Sequence, residues 1–424
     1  MTAATLARRL EALRHCALAR AIAAAARPAR AWLVGGAVRD AALGRATRDL
    51  DAVVERDAAG AAQRLARAGA GRSVALGGDR FAAHRVVLAA ATADLWDLDG
   101  TALEDDLARR DFTVNAMALD LEDGTLVDPF GGLADVERRR LRATRESVFA
   151  EDPLRVVRLA RLAATLEGFG VESATAALAR ATAGRLTEVA GERIRQELGV
   201  LWRESGFGPA QAALEAAGAW PGLWRPPARE LATPASAHSA ATRLDAALGR
   251  LRATGEPAAR PAAGHALAAR AAAGTAALAA IEALAARRAL TRSETRDTLR
   301  LAELAARDPP RSAGDLAWFL HCAGGLWPLA LALGRATTSP AFAAAWDGAL
   351  AAAPALFAAR GAEILAPPRL LRGEEIADLL GVGPGPAVGA ADRRLREAQV
   401  RGEVTDREAA ARRVAAWRGT GDGG

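Results

Sequence analysis

Two aspartates at alternate positions are the clearest sign of chemistry in this 424-residue chain. Asp49 and Asp51 stand on either side of Leu50, at the start of an apolar run that predicts a strand. Alternate residues of a strand share one face, so we expect the two carboxylates to point the same way. Neighbouring anions repel each other unless a cation lies between them, and paired metal ions can serve phosphoryl transfer. The spacing therefore predicts a metal site with Asp49 and Asp51 as ligands.

A glycine turn stands shortly before this acidic pair. Gly35 and Gly36 follow the apolar run 32–34 and precede a predicted helix over 37–43. Glycines let backbone N–H groups approach a phosphate, and the start of a helix adds partial positive charge. Arg39 in the first turn could bind the same anion. Alone, the glycines could be a tight connection and the acids a solvated strand end, but together they predict one nucleotide pocket.

A second metal ion normally needs a third carboxylate. Asp94 and Asp97 lie on the next predicted strand, 93–98. We favour Asp94 as the third catalytic acid, and the alternative for either residue is an exposed loop acid.

Several blocks of sequence carry a family resemblance. The run 33–54 resembles the signature of the DNA polymerase β-like nucleotidyltransferases. The Arg-Arg-Asp-Phe-Thr-Val-Asn-Ala block within 104–118 and the block 128–135 follow in the order typical of one branch. That branch is the bacterial tRNA CCA-adding enzyme and poly(A) polymerase family. The resemblance covers roughly 31–205, and the tail segment 371–407 is also similar.

The resemblance implies both a fold and an activity. The fold is an α/β nucleotidyltransferase head with a polymerase β-like mixed sheet, followed by an all-α neck, body and tail. The activity is template-independent addition of CCA, from CTP and ATP with Mg²⁺, to the 3′ end of tRNA, releasing pyrophosphate. Gly36, Arg39 and Arg110 would contact the nucleotide. From the residues alone, Arg110 could instead form an ion pair with Asp111.

Narrower activities stay open at this point. The chain could be a poly(A) polymerase, or could add only CC or only A. A hypothesis of another class is an inactive tRNA-binding paralogue, which the intact acidic pair argues against.

The segment after residue 150 carries the predicted reader of the base. Pro153 suits the first position of a helix, which makes Asp152 its N-cap. Arg155, Arg158 and Arg161 recur every third residue, and could form a solvated stripe. The resemblance instead implies that Asp152 and Arg155 bond the edge of cytosine or adenine as a protein template, while the other two arginines reach phosphates.

We predict five parts along the chain. They are an N-terminal helix (1–30), the catalytic head (31–150), the base-recognition neck (151–220), an RNA-binding helical body (221–365) and a helical tail (366–424). The body could contain a degenerate His-Asp phosphohydrolase region. None of the five histidines is followed by Asp, so we expect no such activity.

Bulk composition agrees with a nucleic-acid partner. Every basic side chain is Arg, and 56 of them against 50 acids give a net charge of +6, which fits a polyanion partner. The resemblance implies that this partner is tRNA, bound at its 3′ end and acceptor stem. A general Ala/Arg/Gly bias also contributes to that excess. The two distant cysteines, the lack of a signal-peptide core and the lack of an apolar run near membrane-span length predict a cytoplasmic protein with no membrane.

Overall fold

The computed structural model describes residues 2–47, 49–76, 83–98, 100–223, 234–250, 263–267 and 290–418. The chain divides into two compact units. The first is Met1–Val189 with Ala216–Gly222, and the second is Ala190–Glu215 with Leu223–Gly424. The predicted neck is therefore shared between the units. Much of the region in which a degenerate phosphohydrolase remnant was expected lies outside the described residues.

A seven-stranded mixed sheet forms the centre of the first unit. Its spatial order is β3-β4-β5-β2-β1-β6-β7; β2 and β5 run parallel, and the other neighbours run antiparallel. The strands are β1 (Ala31–Val34), β2 (Asp49–Val54), β3 (Arg72–Leu76), β4 (Ala83–Val87), β5 (Thr92–Asp97), β6 (Ala118–Asp120) and β7 (Leu126–Val127). A separate parallel pair joins β8 (Arg140–Leu141) to β9 (Gly170–Val171). This mixed sheet confirms the predicted class of the head.

Helices surround the sheet. In chain order they are α1 (Ala3–Arg14), α2 (Ala17–Ala26), α3 (Gly36–Leu43), α4 (Ala58–Ala68), α5 (Leu103–Ala108), α6 (Gly132–Glu137), α7 (Val148–Glu151), α8 (Arg155–Thr165) and α9 (Ser173–Thr182). Short 3₁₀ turns cover Thr113–Asn115 and Ala183–Glu188. The single N-terminal helix predicted from the sequence is wrong, because Cys16 is extended and caps α2 through a bond from the Ala19 N–H to its Sγ.

The apolar half of β2 fixes its acidic half in place. Ala52, Val53 and Val54 are fully buried, whereas Asp49 at the other end of the strand is exposed. Side chains on one side of the sheet form a cluster with α5: Trp32, Val34, Val53, Leu98, Leu103, Leu107, Ala116 and Ala118. Burial of such side chains is the main force that sets strand position. The core therefore holds the carboxylates at its edge.

The described part of the second unit is helical. Its helices are α10 (Gly191–Ser205), α11 (Phe207–Ala216), α12 (Trp220–Leu223), α13 (Pro234–Arg250), α14 (Arg292–Ala305), α15 (Ala313–Ala323), α16 (Trp327–Thr337), α17 (Ala343–Leu365), α18 (Gly373–Leu380), α19 (Pro386–Arg401) and α20 (Arg407–Ala415), with α11 and α12 at the boundary. The last three pack around one apolar cluster that includes Ile376, Leu395 and Val414. The fold as a whole is thus a mixed-sheet head with a mostly helical remainder, as predicted.

Two helical stretches are long and apolar enough to cross a membrane, judged by length and composition alone. They are Ala313–Thr337 and Pro340–Leu365, with 67% and 22% of their most apolar windows buried within the protein. The expectation that no apolar run approaches span length is wrong, because alanine-rich helices with few charges meet that criterion. Core helices of soluble proteins meet it too, so the finding is weak evidence of a membrane span.

Candidate active site

The two predicted metal ligands share one face of β2, next to the glycine turn. Leu50 between them is buried on the opposite face. The register of β1 and β2 pairs Val34 with Asp51, which brings Asp51 to the residue where the turn begins. A Cβ added at Gly35 would lie 3.5 Å from an Asp51 carboxylate oxygen. Asp51 therefore lies beside the turn, as the spacing predicted, and we call the turn and the face that Asp51 shares with Asp49 the pocket.

A third carboxylate lies beside Asp51 on the neighbouring strand. The parallel register of β2 and β5 pairs Asp51 with Asp94 and Asp49 with Thr92. The Thr92 hydroxyl donates to Asp49 at 2.5 Å, and Arg85 of β4 donates two bonds to Asp94, at 2.8 and 2.6 Å. Asp51, Asp94 and Arg85 thus form a row across three strands.

The structure separates the two candidates for the third acid. Asp97 is an odd number of residues from Asp94, so it belongs to the opposite face of β5. Its carboxylate accepts a bond from the Ala58 N–H at 2.7 Å, at the first residue of α4. Asp97 therefore satisfies a helix start, and Asp94 alone of the two faces the pocket.

Burial and like charge act together on Asp51. Removal from water and the nearby Asp94 carboxylate raise the pKa of Asp51 to about 6, against the opposing pull of Arg110, Arg158 and Arg85. A divalent cation between the acids would relieve this repulsion, so the donors fit such an ion. Among the described residues, no group of three or more His, Cys, Asp and Glu side chains lies close enough together to hold a metal ion. Mg²⁺ usually takes only one or two protein carboxylates together with substrate phosphates and waters, so it does not require such a group.

Gly35 needs to be glycine for two reasons. Its φ of +73° lies in the region that side chains disfavour, and α3 begins directly after it at Gly36. A Cβ at Gly35 would also lie only 3.0 Å from a terminal nitrogen of Arg110. The turn therefore leaves room for a guanidinium at the mouth of the pocket.

Arg39 lies inside the head rather than projecting from it. Its Nη1 donates to Asn115 Oδ1 at 2.6 Å and its Nε donates to Asp40 at 2.9 Å, and the residue is 9% exposed. A buried guanidinium needs such partners, and these fix the start of α3 against the Thr113–Asn115 turn. The nucleotide contact expected for Arg39 stays a prediction.

Arg110 reaches the pocket from the loop after α5. Its guanidinium stacks over the Trp96 ring at 5.2 Å, and its Nη2 donates to Asp106 at 3.0 Å. The Trp96 ring N–H donates to the same Asp106 carboxylate at 3.2 Å. The ion pair with Asp111, the alternative considered from the sequence, is wrong, because Asp106 is the partner of Arg110.

Asp111 pairs instead with Arg158. Nε and Nη2 of Arg158 each lie 2.8 Å from Asp111 Oδ2, and the Asn115 amide donates to Asp111 at 3.0 Å. Burial alone would raise the pKa of Asp111, but the Arg158 charge and these hydrogen bonds hold it well below its usual range. Sequence reasoning missed this pair and expected Arg158 at a phosphate. The i, i+4 spacing of Asp111 and Asn115 was visible, but the partner 47 residues away was not.

The predicted base-reading pair lies where α7 ends and α8 begins. Asp152 is extended between the helices, and its carboxylate accepts a bond from the Leu154 N–H at 3.3 Å. Because α8 begins only at Arg155, after a turn over 152–155, the predicted N-cap at Asp152 is wrong by two residues. Arg161 lies on α8 and is partly exposed.

Two backbone carbonyls hold the Arg155 guanidinium. Its Nη2 donates to the Arg109 carbonyl at 2.6 Å and its Nη1 to the Val148 carbonyl at 3.1 Å. Partial burial lowers the pKa of Arg155 from its ordinary value. These bonds orient the side chain and attach α8 to the loop that carries Arg110.

Residues 31–142 match the family model described as the Poly A polymerase head domain. Over these residues the chain is similar to that head domain. The acids, the glycine turn and Arg110 all lie within the matched region, and the resemblance expected from the sequence is confirmed. Asp152 and α8 lie just beyond it.

Curated relatives match about two fifths of the chain. A CC-adding tRNA nucleotidyltransferase of Geobacter sulfurreducens is 45% identical over 176 residues, which cover 40% of this chain and 39% of the relative. A CCA-adding enzyme of Marinobacter nauticus is 42% identical over 180 residues, covering 39% and 48%. The chain therefore matches less than half the length of these relatives.

Solved structures resemble the fold over nearly the whole chain. The Thermotoga maritima CCA-adding enzyme complexed with tRNA gives a TM-score of 0.68 at 21% identity, covering 97% of this chain and 98% of that one. The Bacillus stearothermophilus CCA-adding enzyme in complex with CTP gives 0.65 at 24% identity, covering 96% and 95%. At these identities the likeness establishes the fold alone.

Proposed function

We propose that this protein is a template-independent nucleotidyltransferase that adds CCA, from CTP and ATP, to the 3′ end of tRNA and releases pyrophosphate. One observation carries the proposal: Asp51 and Asp94 lie side by side next to the Gly35 turn, within a Poly A polymerase head. Clustered carboxylates beside the Gly35 turn would repel the phosphates of RNA or of a nucleotide. They would therefore weaken binding unless a bound cation neutralised them. Relatives named for CCA or CC addition are more than 40% identical to this chain over about two fifths of its length.

In this proposal Asp49 and Asp51 hold Mg²⁺, and Asp94 completes the acidic face. Bound Mg²⁺ supplies the positive charge that eases deprotonation of the tRNA 3′-hydroxyl and stabilises the leaving pyrophosphate. Gly35 and Gly36 allow the triphosphate to approach the backbone at the start of α3. Arg110, oriented by Trp96 and Asp106, binds the triphosphate beside the Gly35 turn.

Asp152 and Arg155 select the base. A carboxylate accepts from the exocyclic amine that cytosine and adenine share, and a guanidinium donates to the neighbouring ring acceptor. Uracil and guanine present the opposite pattern and would leave the polar groups of Asp152 and Arg155 unpaired. Arg161 remains the proposed phosphate contact on α8, whereas the bonds of Arg158 to Asp111 support a structural role for it.

Addition of CC alone is the second candidate, because two of the similar relatives, at 45% and 42% identity, are named CC-adding. The test uses three tRNA transcripts, which lack CCA, end in the first C, or end in CC, each incubated with Mg²⁺ and labelled CTP, ATP or both. Ordered C, C, A and then a stop supports CCA addition, and a stop after two C residues supports the second candidate. Long A tails would indicate poly(A) synthesis, and A added only to the CC-ending transcript would indicate an A-adding enzyme.

Absence of incorporation with retained tRNA binding would refute an enzymatic function. The RNA-binding role of residues 221–365 and a cytoplasmic location remain predictions.

A further inference from the structure

Four consecutive carbonyls, from the last residue of α5 onward, accept hydrogen bonds from three side chains and one backbone N–H outside the loop. The Ala108 carbonyl accepts a bond from Nη1 of Arg145, and the Arg109 carbonyl accepts from Arg155 at 2.6 Å. The Thr144 hydroxyl donates to the Arg110 carbonyl at 2.6 Å, and its N–H donates to the Asp111 carbonyl at 3.2 Å. One short loop is therefore fixed by residues 144, 145 and 155.

This loop lies between the two ends of the proposed nucleotide. The Arg110 side chain leaves it toward Gly35 and Asp51, where the triphosphate is proposed to bind. Its Arg109 carbonyl holds Arg155, which is proposed to read the base. A shift of this loop would therefore change the distance between base recognition and phosphate recognition.

Arg145 also binds Glu151, the acid next to the proposed base-reading residues Asp152 and Arg155. Its Nε lies 2.9 Å from Glu151 Oε1, its Nη2 bonds Glu151 Oε2, and the Ser147 hydroxyl donates to Glu151 at 2.6 Å. Glu151 Oε2 lies 3.8 Å from Nη1 of Arg155. The hydrogen bond from Arg145 is the main reason that the pKa of Glu151 is lowered to about 2. Arg145 thus holds the Glu151 carboxylate, which could otherwise draw the Arg155 guanidinium away from the Arg109 carbonyl.

We propose that Arg145 is a positioning residue for base selection, which sets Arg155 against the Arg110 loop by holding Glu151 and the Ala108 carbonyl. This inference rests on the proposed function. Arg145 touches neither the acidic pair nor the glycine turn, so its loss would alter the choice of base rather than the chemistry. Its partly exposed ion pair contributes little to folding, so variants should remain folded.

The test measures kcat and KM of the whole chain for each of the four nucleotides. The acceptor is tRNA that lacks CCA or that ends in the first C, so that C is the next nucleotide to be added. For Arg145→Ala we expect the preference for CTP over UTP to fall about tenfold, with a higher KM for CTP and a kcat within about twofold of wild type. Arg145→Lys should recover only part of the preference, because an ammonium cannot bridge the carbonyl and both carboxylate oxygens. Arg138→Ala, at an exposed arginine in the same unit, is the matched control and should leave the preference unchanged.

A double-mutant cycle separates positioning from general damage. If Arg145 acts through Glu151, the losses in Arg145→Ala and Glu151→Gln should be strongly non-additive in the combined variant. An unchanged preference in Arg145→Ala, or an equal loss of kcat for all four nucleotides, overturns the inference. If Arg145→Ala fails to fold by circular dichroism, Arg145→Lys and Glu151→Gln decide in the same way. A wild-type protein without any incorporation would instead refute the proposed function.

Discussion

Replacing Asp51 with Asn should abolish incorporation and, in the absence of divalent metal, make the protein more stable. The reason is that the folded structure holds the Asp51 carboxylate away from water and beside Asp94, which raises its pKa from 3.8 to about 6. A group whose pKa is raised on folding favours the folded state only when it is protonated. The Asp51 charge therefore lowers the free energy of unfolding as pH rises from about 4 to about 6.

The size of the effect follows from the shift. A rise of about two pKa units corresponds to about 3 kcal/mol of unfavourable interaction once the group is charged. The amide of Asn removes that charge with little change in volume. We therefore expect Asp51→Asn to raise the free energy of unfolding by up to about 3 kcal/mol at pH 7.5, or several degrees in melting temperature.

The assay is thermal unfolding with a chelator, at pH 7.5 and at pH 4.5, followed by titration with Mg²⁺. The gap between Asp51→Asn and wild type should shrink at pH 4.5, where the native carboxyl is mostly protonated. Mg²⁺ should narrow it at pH 7.5, because the ion binds the wild-type acids more tightly than the variant. Asp105→Asn, which removes an exposed charge from the same head, should show no such gap. A variant that is less stable than wild type at pH 7.5, or a gap independent of pH, would refute the electrostatic argument.

Three further predictions concern single residues of the pocket. Asp94→Asn should reduce kcat in steady-state incorporation, whereas Asp97→Ala should keep activity and lose about 1 kcal/mol in denaturant unfolding, because it removes the acceptor at the start of α4; the reverse result would exchange their roles. Arg110→Ala should raise the KM for CTP about tenfold, since it removes a charged hydrogen-bond donor, and the neighbouring, more exposed Arg109→Ala should change it far less. Gly35→Ala should lower both activity and melting temperature, with a backbone cost of roughly 1–2 kcal/mol; wild-type values in both measurements would show that the turn tolerates a side chain.

Local patterns in the sequence predicted the core of the site. The two-residue spacing of Asp49 and Asp51 fixed their common face, and the glycine turn predicted where Asp51 would point. Both depend only on the geometry of a strand and on short connections. The choice between Asp94 and Asp97 needed the register of β5 against β2, which is set by packing across the sheet rather than by neighbouring residues.

Long-range pairing explains most of what the sequence did not predict. Arg158 and Asp111 are 47 residues apart, and each had a plausible local interpretation, as a phosphate contact and as a partner of Arg110. Arg145 was missed altogether, because a single arginine in a chain with 56 basic residues carries no signal of its own. Only the folded loop shows that its guanidinium has two acceptors to bridge.

Because the chain has no lysine, the cationic side chains that bridge this region are all arginines. Arg145 bonds a carbonyl and a carboxylate at once, and Arg155 bonds two carbonyls from different segments. A guanidinium supports such bridging because its donors form a rigid planar fork, whereas an ammonium is a single rotating point of charge. The loop that carries Arg110 and the start of α8 are therefore joined by side chains that fix angles as well as distances. Base discrimination depends on angles of this kind, because cytosine and uracil differ only in which ring-edge groups donate and accept. A loop fixed at four successive carbonyls gives the proposed template the rigidity that such a distinction requires.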